Sequence, residues 1–103
     1  ISFPDDATMR EIVNVHFPNL DEKLLDAAMR VFYGVRNVQG LKKRPSTSEL
    51  VDWIKLLLVD KFPVEQLQNL DFNNVKAPFE GALLKNEQDV GLFERLRKRF
   101  SRY

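Results

Sequence analysis

The sequence predicts an all-α fold, a small helical bundle of about five or six helices. Apolar residues recur at three- and four-residue steps along most of the chain. No segment shows the strict apolar and polar alternation that is typical of a half-buried strand. The length of 103 residues suits one compact domain with a modest core. We therefore expect a single helical domain over residues 1–103, without internal repeats.

A short first helix is predicted after Pro4. Pro4 and Asp5 give a helix start signal, and Phe17 with Pro18 breaks the pattern. Between these points the apolar residues have helical spacing: Met9, Ile12 and Val13. His16, the only histidine, lies at the end of this helix. We expect a structural or solvated side chain there, because a second histidine for a metal site or a relay is missing.

The second helix is longer, and Asp21 can cap its start. Its apolar residues recur on one face: Leu24, Leu25, Ala28, Val31, Phe32 and Val35. Gly34, Asn37 and Gly40 are expected to mark its end and the following loop, because glycine and asparagine tolerate the left-handed conformation that terminates helices. The basic residues 42–44 then lie in that loop.

A third helix is predicted to open at Pro45, which restricts the backbone where a helix begins. Ser46 or Thr47 can accept a hydrogen bond from the first amides, and Glu49 completes a Ser-x-x-Glu capping box. Trp53 is expected to lie beside the buried stripe of this helix. That stripe consists of Leu50, Ile54, Leu57 and Leu58.

Shorter elements follow. Phe62 and Pro63 interrupt the third helix, and residues 64–67 can form a short helical turn before a polar stretch. Pro78 can start another helix that runs through Leu84. After Asn86 a final helix is predicted from residue 87 to about residue 100. Its apolar face holds Val90, Phe93, Leu96 and Phe100.

The amino-acid composition limits the classes of function that this chain can have. The 16 Lys and Arg residues nearly balance the 15 Asp and Glu residues, so the net charge of +1 demands neither nucleic acid nor an anionic membrane. The lack of cysteine removes disulfides, thiol nucleophiles and thiolate metal sites, and it favours a reducing compartment. No apolar run approaches the roughly 20 residues that cross a bilayer, and no signal-peptide pattern opens the chain. We expect a cytoplasmic protein.

The strongest functional signal lies in residues 43–58, which read KRPSTSELVDWIKLLL. It stands with four other segments: 1–5 (ISFPD), 12–18 (IVNVHFP), 81–90 (GALLKNEQDV) and 92–96 (LFERL). Together these segments resemble the C-terminal helical lid of a MoxR-type AAA+ ATPase, over nearly the whole chain. The resemblance implies that a nucleotide-binding core precedes Ile1, and that a hinge near residues 1–4 lets the lid rotate over ATP and Mg bound there.

The resemblance also implies a place for the nucleotide. The corresponding helix of AAA+ lids carries a "sensor 2" arginine that reaches the terminal phosphates. Alignment with the related pattern Ser-Leu-Arg-Asp-Leu-Leu-x-Trp places Ser48 at that position, and a serine cannot supply the charge. The positive charge must then come from one of three sources: Arg44, another residue in the core, or a neighbouring subunit. Thr47, Ser48 and Arg44 are therefore the candidate nucleotide-proximal residues.

The chain lacks the residues that hydrolyse ATP by themselves. A Gly-x-x-x-x-Gly-Lys-Ser/Thr loop, which cradles phosphates, is missing. Residues 34–42 imitate it, but five residues separate the two glycines and Leu41 precedes Lys42. We expect no enzyme activity from this chain alone, whereas the resemblance implies a parent ATP hydrolase. It further implies a hexameric ring, chaperone-like remodelling of client proteins and often a von Willebrand factor A-domain partner.

The last helix is locally basic. Its candidate partner or subunit contacts are Arg95, Arg97, Lys98 and Arg99. A lid in a ring abuts neighbouring subunits, which is the interpretation that the resemblance implies. The alternative is a free-standing helical binding module that uses this helix on nucleic acid or an acidic protein. Nucleic acid is the less favoured partner, because cations near a helix C-terminus also offset the helix dipole.

Overall fold

Six helices follow one another in the computed structural model, which describes residues 3–71 and 76–100 and the side chains as far as residue 98. They are α1 (Asp6–His16), α2 (Glu22–Arg36), α3 (Thr47–Asp60), α4 (Val64–Gln68), α5 (Glu80–Leu83) and α6 (Glu87–Phe100). The described residues contain no strand. The predicted all-α bundle is therefore confirmed. None of the described helices is both long enough and apolar enough to span a membrane.

Helices α2 and α3 supply most of the core. All six residues predicted for the apolar face of α2 are buried, together with Ala27 and Met29. In α3, Leu50, Ile54 and Leu57 are buried as predicted, and Trp53, which was expected beside this stripe, is fully buried as well. Leu58 was wrongly assigned to this stripe, since 38% of it is exposed. Leu58 follows Leu57 by one residue, and a step of about 100° around the helix carries its side chain to the edge of the buried arc.

The helix starts follow the predicted positions but not all of the predicted bonds. Asp5 caps α1, and its Oδ1 accepts the Thr8 N–H at 2.8 Å. Asp21 precedes α2 without a side-chain cap bond. Ser46 precedes α3, but its hydroxyl donates to the Glu49 carboxylate instead of accepting an amide N–H. The expected capping box is therefore replaced by a direct side-chain pair.

The predicted end of α2 is confirmed at Asn37, whereas other features of the helix ends differ from expectation. Gly34 lies inside α2, which continues to Arg36. Asn37 is the C-cap with φ −88°, so only Gly40, with φ +93°, has the left-handed conformation that we predicted for this region. Within residues 3–71 and 76–100, two non-glycine residues have positive φ: Lys61 at 55°, where α3 ends, and Phe79 at 52°, directly before α5.

Long side chains attach the two short helices to the long ones. Helix α4 packs against α2, where the Arg30 guanidinium donates to the carbonyls of Leu67, Gln68 and Leu70 at 2.9, 3.1 and 3.0 Å. Helix α5 packs against α3, where Trp53 Nε1 donates to the Pro78 carbonyl at 2.6 Å. The turn at residues 64–67 is confirmed as α4, whereas α5 begins at Glu80, two residues after the predicted start at Pro78.

The N-terminal segment is anchored on α2. The Phe3 ring lies 6.1 Å from the Phe32 ring, and the Arg36 guanidinium lies 3.5 Å above the Phe3 ring centre. The Tyr33 hydroxyl donates to the Pro4 carbonyl at 3.3 Å. Phe3 and Pro4 therefore pack against the bundle.

Helix α6 adds Phe93 to the core. Asn86 Oδ1 accepts the Gln88 N–H at 2.8 Å, which ends the preceding segment at the predicted residue. Phe93 is buried, while Val90 and Leu96 are half-buried. The side chain of Phe100, the fourth residue predicted for this face, lies outside the described residues.

Candidate functional site

The most distinctive surface feature is a cationic loop, Lys42, Lys43 and Arg44, which joins α2 to α3. All three residues are exposed. The backbone of the loop is held by one buried side chain, Asp89, in the first turn of α6. Asp89 Oδ1 accepts the Lys42 N–H at 2.6 Å, and Oδ2 accepts the Lys43 N–H at 2.9 Å. Because only 1% of Asp89 is exposed, both carboxylate oxygens are fully committed to the loop backbone.

The opposite end of the cationic loop is attached to α2. Arg44 Nη1 donates to the Arg36 carbonyl at 3.1 Å, and Arg36 Nε donates to the Pro45 carbonyl at 3.2 Å. Burial lowers the pKa of Arg36, and the nearby charge of Arg44 lowers it further. The two guanidinium groups thus lie close enough to repel each other, and the hydrogen bonds hold them there.

A second buried carboxylate, Glu49, belongs to the first turn of α3. It accepts the Ser46 hydroxyl, and its Oε1 lies 3.5 Å from Lys43 Nζ without a well-formed hydrogen bond. Burial opposes the ionisation of Glu49, but the Ser46 hydroxyl, the helix backbone and the Lys43 charge together hold its pKa below the ordinary value. The Ser46 hydroxyl is occupied, so no side chain caps the first amides of α3.

The candidate nucleotide-proximal residues Thr47 and Ser48 form the first turn of α3. Thr47 is half-buried and Ser48 is exposed. With Val51, Asp52 and His16 from the end of α1 they line a recess of about 240 Å³. Among the described contacts no hydrogen bond joins His16 to Ser48 or Asp52. The recess therefore holds polar groups without the linked relay that nucleophilic catalysis requires.

The candidate contact residues of α6 lie in different environments. Arg95 is exposed and faces a cleft of about 300 Å³ that Lys42 also lines. Lys98 is exposed, and the Arg99 side chain lies outside the described residues. A role of these cations in partner contact stays a prediction.

Arg97 lies mostly inside the bundle, with 11% of its side chain exposed. Its guanidinium forms a two-point ion pair with Glu80, in which Nη1 lies 2.9 Å from Oε2 and Nη2 contacts Oε1. It also lies 5.2 Å from the Phe93 ring centre. Glu80 is only 2% exposed. This pair joins α5 to α6, so the structure gives Arg97 an internal role that the sequence analysis did not foresee.

Sequence reasoning missed Asp89 and Glu80 for one reason. Each lies in the first turn of its helix, where an acidic residue is ordinarily assigned to the helix dipole. The partners of Asp89 are 46 and 47 residues away, and the partner of Glu80 is 17 residues away. No local pattern indicates such pairs. The only visible signal is the Asp89 carboxylate between Asn86 and the apolar residues of α6.

The described residues contain no group of three or more His, Cys, Asp or Glu side chains that could hold a metal ion. No family model, curated protein or solved structure matches this chain. The cationic loop and the start of α3, together with the sequence resemblance, are therefore the features of this chain that bear on its function.

Proposed function

We propose that this chain is the C-terminal lid of a MoxR-type AAA+ ATPase and that it closes over ATP bound by a core preceding it. The observation that carries the proposal is the exposed cationic edge where α3 begins. Arg44, Thr47 and Ser48 lie within four residues of one another there, at a helix end that carries no side-chain cap. Free backbone N–H groups and the helix dipole favour a phosphate at such an end.

Arg44 is the proposed replacement for the sensor 2 arginine. Ser48 stands at that position and offers a hydroxyl but no charge. Arg44 is exposed, and only Nη1 of its guanidinium is bonded to the Arg36 carbonyl. A guanidinium has five N–H donors in a fixed fork, so donors remain for a phosphate oxygen. Thr47 and Ser48 would then add neutral hydroxyl contacts beside it.

The remaining machinery is assigned to the core in this proposal. The core binds ATP and Mg and hydrolyses ATP, and the lid reports the nucleotide state by rotating as a rigid body. Because Phe3 and Pro4 are packed on α2, we place the hinge before Phe3. The exposed residues Arg95 and Lys98 would face a neighbouring subunit of a ring. The proposal keeps the hexamer, the chaperone-like activity, the von Willebrand factor A-domain partner and the cytoplasmic location as expectations.

The first test is the coding sequence upstream of Ile1. The proposal expects a Gly-x-x-x-x-Gly-Lys-Ser/Thr loop and a strand with acidic residues at its end, in the same reading frame. Finding both supports the lid. A start codon directly before Ile1 contradicts it and favours the free-standing helical binding module.

The second test measures ATP hydrolysis by the complete protein. Arg44→Gln is expected to lower kcat/KM about tenfold or more, because a hydrogen bond from a charged group is worth about 1.5–3 kcal/mol. Adding Ser48→Arg to Arg44→Gln is expected to restore part of this loss, since it returns the charge to the sensor 2 position. Lys23→Gln, an exposed lysine of α2, is the control and should have no effect. Equal rates for Arg44→Gln and the control would contradict the assignment of Arg44.

A further inference from the structure

The cationic loop is exposed, but three hydrogen bonds attach it to α6 and to the end of α2. Asp89 takes up the N–H groups of Lys42 and Lys43, and the bond between Arg44 and the Arg36 carbonyl fixes the next residue. Gly40 has a positive φ, and a Cβ atom there would lie 3.4 Å from Leu92 Cδ2 of α6. The loop is therefore closed against α6 on one side and against the end of α2 on the other.

This closure fixes the backbone that carries three consecutive cations. Of the three cations, only Lys43 has a carboxylate within salt-bridge distance among the described residues, namely Glu49 at 3.5 Å. The lowered pKa of Arg36, caused by burial and then by Arg44, is consistent with an excess of positive charge at this edge. Adjacent cations repel one another, and the carboxylates of Asp89 and Glu49 offset only part of the positive charge of Lys42, Lys43 and Arg44. A phosphate chain, with several charges in a row, has the chemistry that fits three consecutive cations.

We propose that Asp89 is a positioning residue that arranges Lys42, Lys43 and Arg44 for binding a chain of phosphates. The inference rests on the proposed function, since it assigns the phosphates of the nucleotide to this loop. Asp89 does not touch the phosphates itself. Its carboxylate fixes two consecutive backbone amides, so the loop does not have to become ordered when the anion binds. Preorganisation of this kind raises affinity by lowering the entropic cost of binding.

The test uses inorganic triphosphate as the probe and the full chain as the protein. Titration is followed by the NMR shifts of the backbone amides of residues 41–48. In the unchanged protein we expect saturable shifts in this segment that disappear when Lys42 and Arg44 are both changed to Gln. Asp89→Asn keeps the size of the side chain but replaces one acceptor oxygen with a donor NH₂ group. It is expected to weaken triphosphate binding about tenfold and to speed amide hydrogen exchange at Lys42 and Lys43.

Glu80→Gln is the matched control, because Glu80 is also a buried carboxylate attached to α6 and is 2% exposed. It removes the same charge without touching the cationic loop, so triphosphate affinity should change less than twofold. Circular dichroism checks that each variant is folded. If Asp89→Asn is not folded, Asp89→Glu serves instead, since it keeps the charge and displaces the carboxylate by one methylene group.

Two results would overturn the positioning role. One is unchanged triphosphate affinity in a folded Asp89 variant, and the other is a saturating titration that leaves residues 41–48 unperturbed in the unchanged protein. The proposed function is tested separately. If triphosphate binding depends on Asp89 but no phosphate loop is encoded upstream, the lid proposal fails and the positioning role of Asp89 stands.

Discussion

At the scale of single residues, three acidic side chains are buried, and each accepts hydrogen bonds from specific groups of the protein. Asp89 accepts two backbone amides, Glu80 pairs with Arg97, and Glu49 accepts the Ser46 hydroxyl. A carboxylate removed from water is costly unless hydrogen bonds or opposite charges replace its hydration. All three have such partners, and the partners of Asp89 and Glu80 are distant in the sequence, whereas those of Glu49 are local.

Glu49 gives a prediction about pH. Its pKa is held below its ordinary value of 4.5, because the Ser46 hydroxyl, the backbone and Lys43 outweigh the effect of burial. A group whose pKa is lower in the folded state stabilises the fold above its unfolded pKa, and this contribution is lost as the pH falls through the folded value. We therefore expect the unchanged protein to exceed Glu49→Gln in free energy of unfolding by a constant amount from pH 7 to about pH 5. Below pH 4.5 the difference should shrink.

Urea denaturation at a series of pH values measures this difference. Glu94→Gln is the control, since Glu94 is exposed on α6, and its effect should be small at every pH. A Glu49→Gln effect of the same size at pH 7 and at pH 3 would show that the carboxylate is not stabilised in its ionised form.

At the scale of elements, the backbone conformation of the residue that ends a helix affects the stability of the fold. Lys61 ends α3 with φ 55°, and its amide N–H bonds to the carbonyls of Leu57 and Leu58. A left-handed residue with a side chain costs about 1–2 kcal/mol, whereas glycine adopts this conformation without that penalty. Lys61→Gly is therefore expected to raise the free energy of unfolding by about 0.5–1 kcal/mol.

The same substitution at Lys55 is the matched control. Lys55 is exposed inside α3, where glycine is disfavoured, so Lys55→Gly should lower the free energy of unfolding by about 1 kcal/mol. Thermal and urea denaturation of both variants give the comparison. The two substitutions should change the free energy of unfolding in opposite directions. Destabilisation by both would contradict the left-handed conformation of Lys61.

Periodicity predicted the helices because burial on one face of a helix is a local property of the sequence. It correctly indicated the buried face of α2 and the break at Asn86. It failed on side-chain details that the spacing of apolar residues does not encode. The Ser46 hydroxyl donates to Glu49, three residues away, instead of capping α3. Leu58 lies at the edge of the buried arc of α3 and is 38% exposed.

The sequence predicted the candidate site only in part, as it did the fold. The sequence placed Arg44, Thr47 and Ser48 at one helix start, and these residues do lie there. It did not indicate Asp89, although Asp89 holds the loop that presents Arg44. A contact that spans 46 residues follows from how α6 packs, and packing is not encoded in any local motif.

At the scale of the whole molecule, each of two long helices packs against a short one: α2 against α4 and α3 against α5. An isolated helix of five residues, such as α4, cannot be stable in water, because helix nucleation is unfavourable. Its stability must come from α2, through the burial of Leu67 and the three carbonyl bonds of Arg30. The lid proposal requires the bundle to move as one body, so these attachments also bear on function.

Removal of the Arg30 guanidinium tests this dependence directly. Arg30→Ala is expected to speed amide hydrogen exchange of residues 64–70 about tenfold or more, since bonds from a charged donor are worth about 1.5–3 kcal/mol. The buried amides of α2 and α3 should keep their protection, because their core contacts remain. Lys23→Ala, at an exposed position of the same helix, is the control and should leave all rates unchanged. Uniform loss of protection across the chain would instead mean that α4 opens only with the whole bundle.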